Sequence, residues 1–211
     1  MISPVFYTEP GNEMFVPQVA HPGEDAGADI RANVFWGEEY EVVGFFLRWR
    51  DSDCARLFVD GVEYTRDAGV SARSVSDSFM SQYDGAVLLE PNQRVLVDSG
   101  FKIILPNLKN LGAPWNSLVC VYKIVSRSGL AAKHGVVVTN SPGIIDSGYQ
   151  DLVKVSLHNT SENYHVFTRG ARIAQGLCEM VIDQSKAEST TNSNVFNITA
   201  RSTGGLGSTR I

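Results

Sequence analysis

The stretch from Val125 to Val155 constrains the fold most, because short apolar runs alternate in it with residues that favour tight turns. Two β segments, Val136–Thr139 and Leu152–Leu157, flank the turn residues of Asn140–Gly143 and Asp146–Gly148. The stretch therefore predicts β structure with many turns, in which one aspartate is displayed at the end of a strand.

This aspartate, Asp146, has neighbours in the sequence that could form a site for a phosphate ester. Arg127 offers a planar fork of donors for phosphate oxygens, Ser128 offers a hydroxyl, and Gly129 lets the backbone approach a ligand closely. Asp146, next to the aromatic Tyr149, could take a proton from an attacking water. Asp-Ser-Gly is also ordinary turn chemistry, so by itself the stretch fits a purely structural role better.

The composition excludes several classes of function. A chain of 211 residues, 43% of them hydrophobic, can bury one core, with decoration or a small second domain. The formal net charge is −5 without any run of like charges, which argues against a general nucleic-acid or acidic-membrane binder. An anionic substrate would therefore have to meet a local cluster of arginines.

Cysteines and histidines show no spacing typical of a metal site. The three cysteines, Cys54, Cys120 and Cys178, are far apart, and neither CxxC nor HExxH occurs. This usage predicts a reduced, cytoplasmic setting in which the cysteines act as small hydrophobic residues. The sequence predicts no signal peptide, no membrane span and no membrane partner.

The N-terminal half contains two further patterns. Asp29 and Arg31 alternate with apolar residues, which predicts that both lie on one face of a strand. In residues 37–85, Asp60-Gly61 predicts a β-hairpin, and the serine-rich residues 71–81 predict a loop or a short helix.

The C-terminal stretch is polar and ends in a glycine-rich motif. Gln184–Ala200 is expected to be a linker or an arm that lies over a neighbouring molecule. Arg201–Thr209, RSTGGLGST, is a candidate phosphate-binding segment, because glycines let successive backbone N–H groups point into one concavity. It is not a Walker A loop, since no Gly-Lys-[Ser/Thr] follows, and its composition alone fits a disordered tail.

Five short segments together carry a resemblance to a known family. SRSGLAAKHG and GIIDSGYQD resemble the second and third motifs of the homotrimeric dUTP pyrophosphatases, or dUTPases. DAGADIRA, RGARIAQ and RSTGGLGST resemble the other three, and all five occur in the family's order. The resemblance covers the chain except for a stretch after the first motif.

The resemblance implies an all-β fold, a dUTPase-like distorted jelly-roll β barrel, assembled as a homotrimer with exchange of the C-terminal arms. It divides the chain into a discontinuous barrel core (residues 1–36 and 86–183), a small β-rich insertion (37–85) and a C-terminal arm (184–211). The insertion gives the chain a viral or phage-like character, and a protein of that origin would act in the cytoplasm of a host.

The resemblance also implies an activity, hydrolysis of dUTP to dUMP and pyrophosphate, which keeps uracil out of DNA and supplies dUMP for dTMP synthesis. Asp146 is then the general base that orients water towards the α-phosphorus. Mg²⁺ accompanies the substrate, with Asp29 near the metal through water. The nucleotide, mainly its phosphate chain, is held by residues of the second, fourth and fifth motifs: Arg127, Ser128, Gly129, Gln175, Arg201, Gly204, Gly205, Leu206, Gly207, Ser208 and Thr209.

Selectivity for deoxyuridine is implied by residues around the third motif. Tyr149 should lie against the deoxyribose and leave no room for a 2′-hydroxyl, while Asn140, Gly143 and Ile145 should read the uracil edge. Leu206 stands where the family usually has an aromatic residue that stacks on the base, which predicts weaker affinity or a substitute from elsewhere in the chain.

Two alternatives stay open at this point. The related dCTP deaminases resemble the chain around Asp146, but they need a glutamate where this chain has Ser156. A regulatory protein could instead bind a protein partner through the insertion, whose Phe45, Phe46, Trp49 and Phe58 are more aromatic than a passive loop requires. A passive surface insertion fits the same residues, because extra loop length adds little closure entropy.

Overall fold

The computed structural model of the chain describes residues 3–35, 56–64, 72–189 and 191. Within these ranges the chain forms thirteen short strands, one α-helix and four short helical turns. The strands are β1 (Val5–Tyr7), β2 (Ala28–Arg31), β3 (Leu57–Val59), β4 (Val62–Tyr64), β5 (Ala86–Leu89), β6 (Arg94–Asp98), β7 (Lys102–Ile104), β8 (Leu118–Val125), β9 (Val136–Val138), β10 (Gly143–Asp146), β11 (Lys154–Asn159), β12 (Tyr164–Thr168) and β13 (Arg172–Ile182). The helix is α1 (Ala72–Gln82), and the short turns are Glu13–Phe15, Trp115–Ser117, Leu130–His134 and Gln184–Lys186.

The strands form three sheets and one separate pair. Their orders are β10–β8–β13–β2, β6–β11–β9 and β4–β3–β12–β5, and β1 pairs with β7. All of these pairings are antiparallel except that of β3 with β12, which is parallel. The described part of the chain is thus predominantly β structure, as the turn-rich sequence predicts.

The longest strand pairing among the described residues joins β8 and β13. It runs from Gln175 opposite Val125 to Ile182 opposite Leu118. One face of β8 is buried in the core, and Gly176 lies against the ring and hydroxyl of Tyr122 on that face. Only glycine leaves room for Tyr122 there, because a Cβ at residue 176 would overlap the phenol.

The main core lies between the sheets and is made almost entirely of aliphatic and aromatic side chains. Burial of each large apolar side chain contributes roughly 1.5–3 kcal/mol to folding, so this cluster fixes the relative positions of the sheets. Its fully buried members include Ile30, Leu89, Val97, Phe101, Tyr122, Ile124, Val155, Leu157, Phe167 and Ile173.

The predicted hairpin at Asp60-Gly61 is confirmed and joins β3 to β4. Both turn residues have positive φ, 51° and 85°, as a two-residue turn of type I′ requires. The serine-rich segment forms α1, the helical one of the two predicted possibilities. Leu57, Val59 and Phe79 form a second buried cluster with Val166 of β12, so this part of the predicted insertion packs directly on the core.

Parts of the predicted insertion and arm lie outside the described residues. These parts are residues 36–55, 65–71, 190 and 192–211. They contain Phe45, Phe46 and Trp49 of the predicted aromatic partner surface, and the whole glycine-rich motif with Arg201, Gly204, Gly205, Leu206, Gly207, Ser208 and Thr209. The fourth aromatic residue of that surface, Phe58, is half-buried in β3 and stacks on His165 at 5.3 Å, so it packs inside the protein. The domain boundaries therefore stay predictions. Cys120 and Cys178 are free thiols, and none of the helices in the described ranges has the length and apolar character of a membrane span.

Candidate active site

Asp29 is the centre of a cluster of charged side chains where β2, β13 and the end of β8 meet. Arg127 Nε donates to Asp29 Oδ1 at 3.1 Å, and Arg172 Nη1 donates to Asp29 Oδ2 at 3.2 Å. Arg127 Nη1 also donates to the backbone carbonyl of Arg172 at 3.2 Å. Asp29 is only 8% exposed, and the two guanidinium groups compensate its buried negative charge.

Strand register brings these residues together from distant parts of the sequence. Asp29 pairs with Gln175, and Gln175 pairs in turn with Val125, two residues before Arg127. The register of β13 shifts between Arg172 and Ala174, at the point where the strand begins. The structure therefore places the predicted residues Asp29, Arg127 and Gln175 in one cluster, and it adds Arg172.

Ser128 and Gly129 follow this cluster and lead into the short helix Leu130–His134. The Ala131 amide donates to the Arg127 carbonyl at 2.9 Å, which fixes the start of the turn. Gly129 has ordinary right-handed backbone angles, φ −66° and ψ −42°, so the fold does not need glycine for its conformation. A Cβ at Gly129 would meet no atom within 4 Å, which leaves an open surface where a ligand could approach the backbone.

A cavity of about 380 Å³ adjoins the arginine cluster. Arg31, on the same strand as Asp29, donates from Nη1 to the carbonyl of Gly170 at 2.9 Å on the cavity wall. Four arginines contribute to the lining and give the cavity a positive character. The lining residues are Met14, Arg31, Asp60, Arg127, Leu130, Phe167, Thr168, Arg169, Gly170, Ala171 and Arg172.

Asp146 lies at the end of β10, with its side chain exposed, as predicted. The Tyr149 amide donates to the Asp146 carbonyl at 3.0 Å and closes the turn between them. The Tyr149 hydroxyl donates to the carbonyl of Leu152 at 2.8 Å, which holds the ring in place while the residue stays 38% exposed. The fixed, exposed ring is suited to pack against a flat or compact ligand group.

Asn140 and Gly143 meet at the opposite end of β10. A Cβ at Gly143 would lie 3.3 Å from Asn140 Nδ2, so the absence of a side chain lets the amide sit close to the strand. Gly143 is buried and pairs with Ile124, and Ile145 is half-buried on the same strand. The amide of Asn140 and the edge of β10 therefore adjoin each other.

The arginine cluster and Asp146 lie far apart within one chain. Asp146 pairs with Val121 on β8, whereas Arg127 lies six positions further along, beyond the other end of that strand. At the rise of an extended strand this is about 20 Å, too far for both side chains to contact the same phosphate group. The described part of the chain thus contains two separate half-sites.

Sequence reasoning missed part of the surroundings of the first half-site. Asp60 and Thr168 both line the arginine cavity, although only the Asp60-Gly61 dipeptide gave any signal at the sequence level. In the described ranges, no three histidine, cysteine or acidic residues come together as a metal site.

Comparison with known proteins decides the family. The dUTPase family model matches residues 85–210. The chain belongs to the dUTPase family. It is 38% identical to the deoxyuridine 5′-triphosphate nucleotidohydrolase of Rhizobium etli (strain CIAT 652) over 144 residues, which are 68% of this chain and 80% of that relative. It is 32% identical to the enzyme of the same name from Roseobacter denitrificans over 168 residues, 80% of this chain and 97% of the relative.

Solved dUTPase structures agree with this fold. The dUTPase of Staphylococcus bacteriophage 80alpha, solved with dUPNHPP, superimposes with a TM-score of 0.60 over the full length of both chains at 16% identity. The predicted family and the predicted all-β, jelly-roll type dUTPase fold are both confirmed.

Proposed function

We propose that this dUTPase hydrolyses dUTP to dUMP and pyrophosphate with the residues of the two half-sites described above. Family membership and two relatives named as dUTP nucleotidohydrolases support the reaction. The assignment of residues rests on two features of the structure. One half-site has a fixed arginine cluster, and the other has an exposed carboxylate at a strand end. The first suits a phosphate chain, and the second suits a general base.

In this mechanism Asp146 accepts a proton from a water molecule and aims its oxygen at the α-phosphorus. The new P–O bond forms as the bond from the α-phosphorus to the bridging oxygen of the β-phosphate breaks, and pyrophosphate leaves. Catalysis is then mainly positioning together with stabilisation of charge on the phosphate oxygens. The exposure of Asp146 gives a water molecule access to it.

The phosphate chain is held by Arg127, Ser128, Gly129 and Gln175. The guanidinium of Arg127 is fixed through Nε and Nη1, so its remaining N–H groups are presented in a defined direction. The open surface beside Gly129 gives the phosphates access to backbone donors. The glycine-rich segment closes over the nucleotide and adds Arg201, Gly204, Gly205, Leu206, Gly207, Ser208 and Thr209.

Recognition of deoxyuridine is assigned to the hairpin that ends in Asp146. The exposed ring of Tyr149 packs against the deoxyribose, where a 2′-hydroxyl would collide with it. Asn140, Gly143 and Ile145 form the edge that reads uracil, because the amide and the strand backbone adjoin each other there.

The donor set fits Mg²⁺ that is bound mainly by the substrate. Both oxygens of Asp29 already accept from arginines, but each carboxylate oxygen has a second lone pair that could accept from a metal-bound water. Mg²⁺ retains water readily and binds triphosphates, so this outer-sphere position of Asp29 suits it. When bound, the ion neutralises the triphosphate and restricts its shape.

Association of chains would join the two half-sites. Val121, which pairs with Asp146, and Val125, which pairs with Gln175, point to the same face of β8, because they are an even number of residues apart. Asp29 lies on this face as well, since it pairs with Gln175. A second copy packed on this face could therefore bring its Asp146 to the Arg127 end of the first.

The same face presents an exposed apolar side chain and an ion pair that such an association could cover. Ile144, next to Asp146 on β10, is 48% exposed. It lies opposite Lys123, which forms an ion pair of 2.6 Å with Glu179 of β13. We assign this face to a homotrimer with exchanged arms, acting in the cytoplasm. A protein partner for the insertion stays a prediction.

The reaction is tested by pyrophosphate release from dUTP, with dTTP, dCTP and UTP as controls. We expect release from dUTP alone, and a decrease of about 10²- to 10⁴-fold in Asp146→Asn, which lacks the base. Equal rates on UTP and dUTP would contradict the role of Tyr149. Ammonia release from dCTP would indicate a deaminase, and Ser156 at the position of the required glutamate predicts none.

A further inference from the structure

The predicted insertion contributes an internal strand to a core sheet. β3 lies between β4 and β12 in the order β4–β3–β12–β5, and it pairs in parallel with β12 from Tyr164 opposite Leu57 to Val166 opposite Val59. Leu57 and Val166 are both fully buried in the same apolar cluster. The hairpin is therefore held by the sheet ladder and by apolar burial, and it has a fixed position relative to the end of β12.

The turn of this hairpin places a carboxylate on the last residue of β12. Asp60 Oδ1 accepts from the Thr168 amide at 2.9 Å, and Asp60 Oδ2 accepts from the Thr168 hydroxyl at 2.6 Å. The Asp60 amide donates to the carbonyl of Val166 at 2.9 Å. Thr168 is 6% exposed, so these bonds to a charged group are partly shielded from water and stronger than surface bonds.

Thr168 begins the turn that leads to the arginine cluster. The chain continues through Arg169 and Gly170 to Arg172, whose carbonyl and guanidinium hold Arg127 and Asp29. The Ala171 amide donates back to the Thr168 carbonyl at 3.0 Å, while the Arg169 and Gly170 amides donate to the carbonyls of Gly85 and Ala32 at 2.8 Å, so Thr168 anchors one end of the turn. Asp60, Thr168 and the arginines line the same cavity.

We propose that Asp60, supplied by the insertion, is a positioning residue for dUTP hydrolysis, because it holds the Thr168 end of the Thr168–Arg172 turn and thereby helps to hold the guanidinium of Arg127. The inference rests on the proposed function and assigns the insertion turn a part in it. Asp60 acts through Thr168 and does not contact the substrate. The alternative is that Asp60 stabilises the fold without affecting the phosphate half-site.

The test uses Asp60→Gly, which removes the carboxylate and still accepts the positive φ of 51°. Asp60→Asn is the rescue variant, because asparagine tolerates this φ and keeps an acceptor for the Thr168 amide. Glu63→Gln is the matched control on the same hairpin, where the side chain of Glu63 has, among the described residues, an exposed ionic contact of 3.8 Å with Arg56. The full-length protein is used throughout.

We expect Asp60→Gly to raise the KM for dUTP about tenfold with a smaller change in kcat, because ground-state binding of the phosphate chain is weakened. Asp60→Asn should restore most of the affinity, and Glu63→Gln should behave as wild type. Amide exchange at Thr168–Arg172 should accelerate in Asp60→Gly alone.

A lowered melting temperature with unchanged KM would overturn the proposal, as would unchanged amide exchange at Thr168–Arg172. Failure of the proposed function is a separate outcome, because it would appear as a wild-type protein that releases no pyrophosphate from dUTP. The amide exchange does not depend on turnover and still reports whether Asp60 fixes the turn.

Discussion

At single residues of this dUTPase, the local sequence pattern predicts which face of a strand a side chain occupies, whereas tertiary packing determines what that side chain contacts. The alternation around Asp29 placed it and Arg31 on one face of β2 from sequence alone. The alternation did not reveal that Asp29 would be enclosed by two arginines from β13 and from the end of β8. Those contacts depend on strand pairing between distant segments, which a local pattern does not encode.

Gly176 gives a prediction at the same scale. Gly176→Ala should destabilise the fold by about 1–3 kcal/mol, because its Cβ would force the buried Tyr122 out of position. Gly148→Ala is the control, since a Cβ at Gly148 meets no atom within 4 Å. Denaturant unfolding of both variants measures the difference. Equal free energies of unfolding for the two variants would contradict the prediction.

Among the secondary-structure elements, the hairpin could be predicted from the sequence but its pairing partner could not. The hairpin of β3 and β4 was predictable from Asp60-Gly61, since a two-residue turn with positive φ is strongly marked in sequence. The parallel pairing of β3 with β12 was not, because nothing near either strand specifies a partner more than a hundred residues away. The docking of this hairpin on the core involves a histidine pair that sequence reasoning also left without a role.

His165 predicts a pH dependence for this docking. Phe58 of β3 stacks on the buried His165 at 5.3 Å, and His134 lies edge-on at 5.8 Å. Burial, and to a lesser extent the neighbouring His134, lower the pKa of His165 to about 4 from its usual 6.5. The unfolded chain therefore binds a proton between these values that the folded chain does not, so the free energy of unfolding falls as pH decreases from 6.5 to 4.

This decrease in the free energy of unfolding amounts to about 3 kcal/mol once the pH is below both pKa values. His165→Phe keeps an aromatic ring for stacking and should remove this component, so its stability should change less between pH 7 and pH 4.5. His21→Gln is the control, because His21 is exposed and forms an exposed contact with Asp25. Equal pH dependence in wild type and His165→Phe would contradict the prediction.

For the whole molecule, family and fold class could be predicted because five short motifs in order are a global signal that survives wide divergence. The separation of the half-sites could not, since it depends on the register of β8 with β10. The motifs list the residues of the site without stating which chain supplies them. The distance along β8 supplies that information and favours a site shared between subunits.

A mixing experiment tests the shared site. Asp146→Asn and Arg127→Ala should each be nearly inactive alone. Co-expressed with different tags and purified as a mixed assembly, they should regain activity, because random association leaves about a quarter of shared sites with both native residues. Mixed assemblies as inactive as the separate variants would place both residues in a site within one chain.

The parallel pairing of β3 with β12 also sets an order of events during synthesis. Asp60 and its partner Thr168 are separated by 108 positions, so the insertion hairpin must wait for most of the polypeptide to emerge before it can dock. Until then Leu57 and Val59 lack their contact with Val166, and only the earlier members of their cluster, such as Phe79, have been synthesised. Docking of the insertion hairpin on β12 is therefore a late step in the folding of this dUTPase.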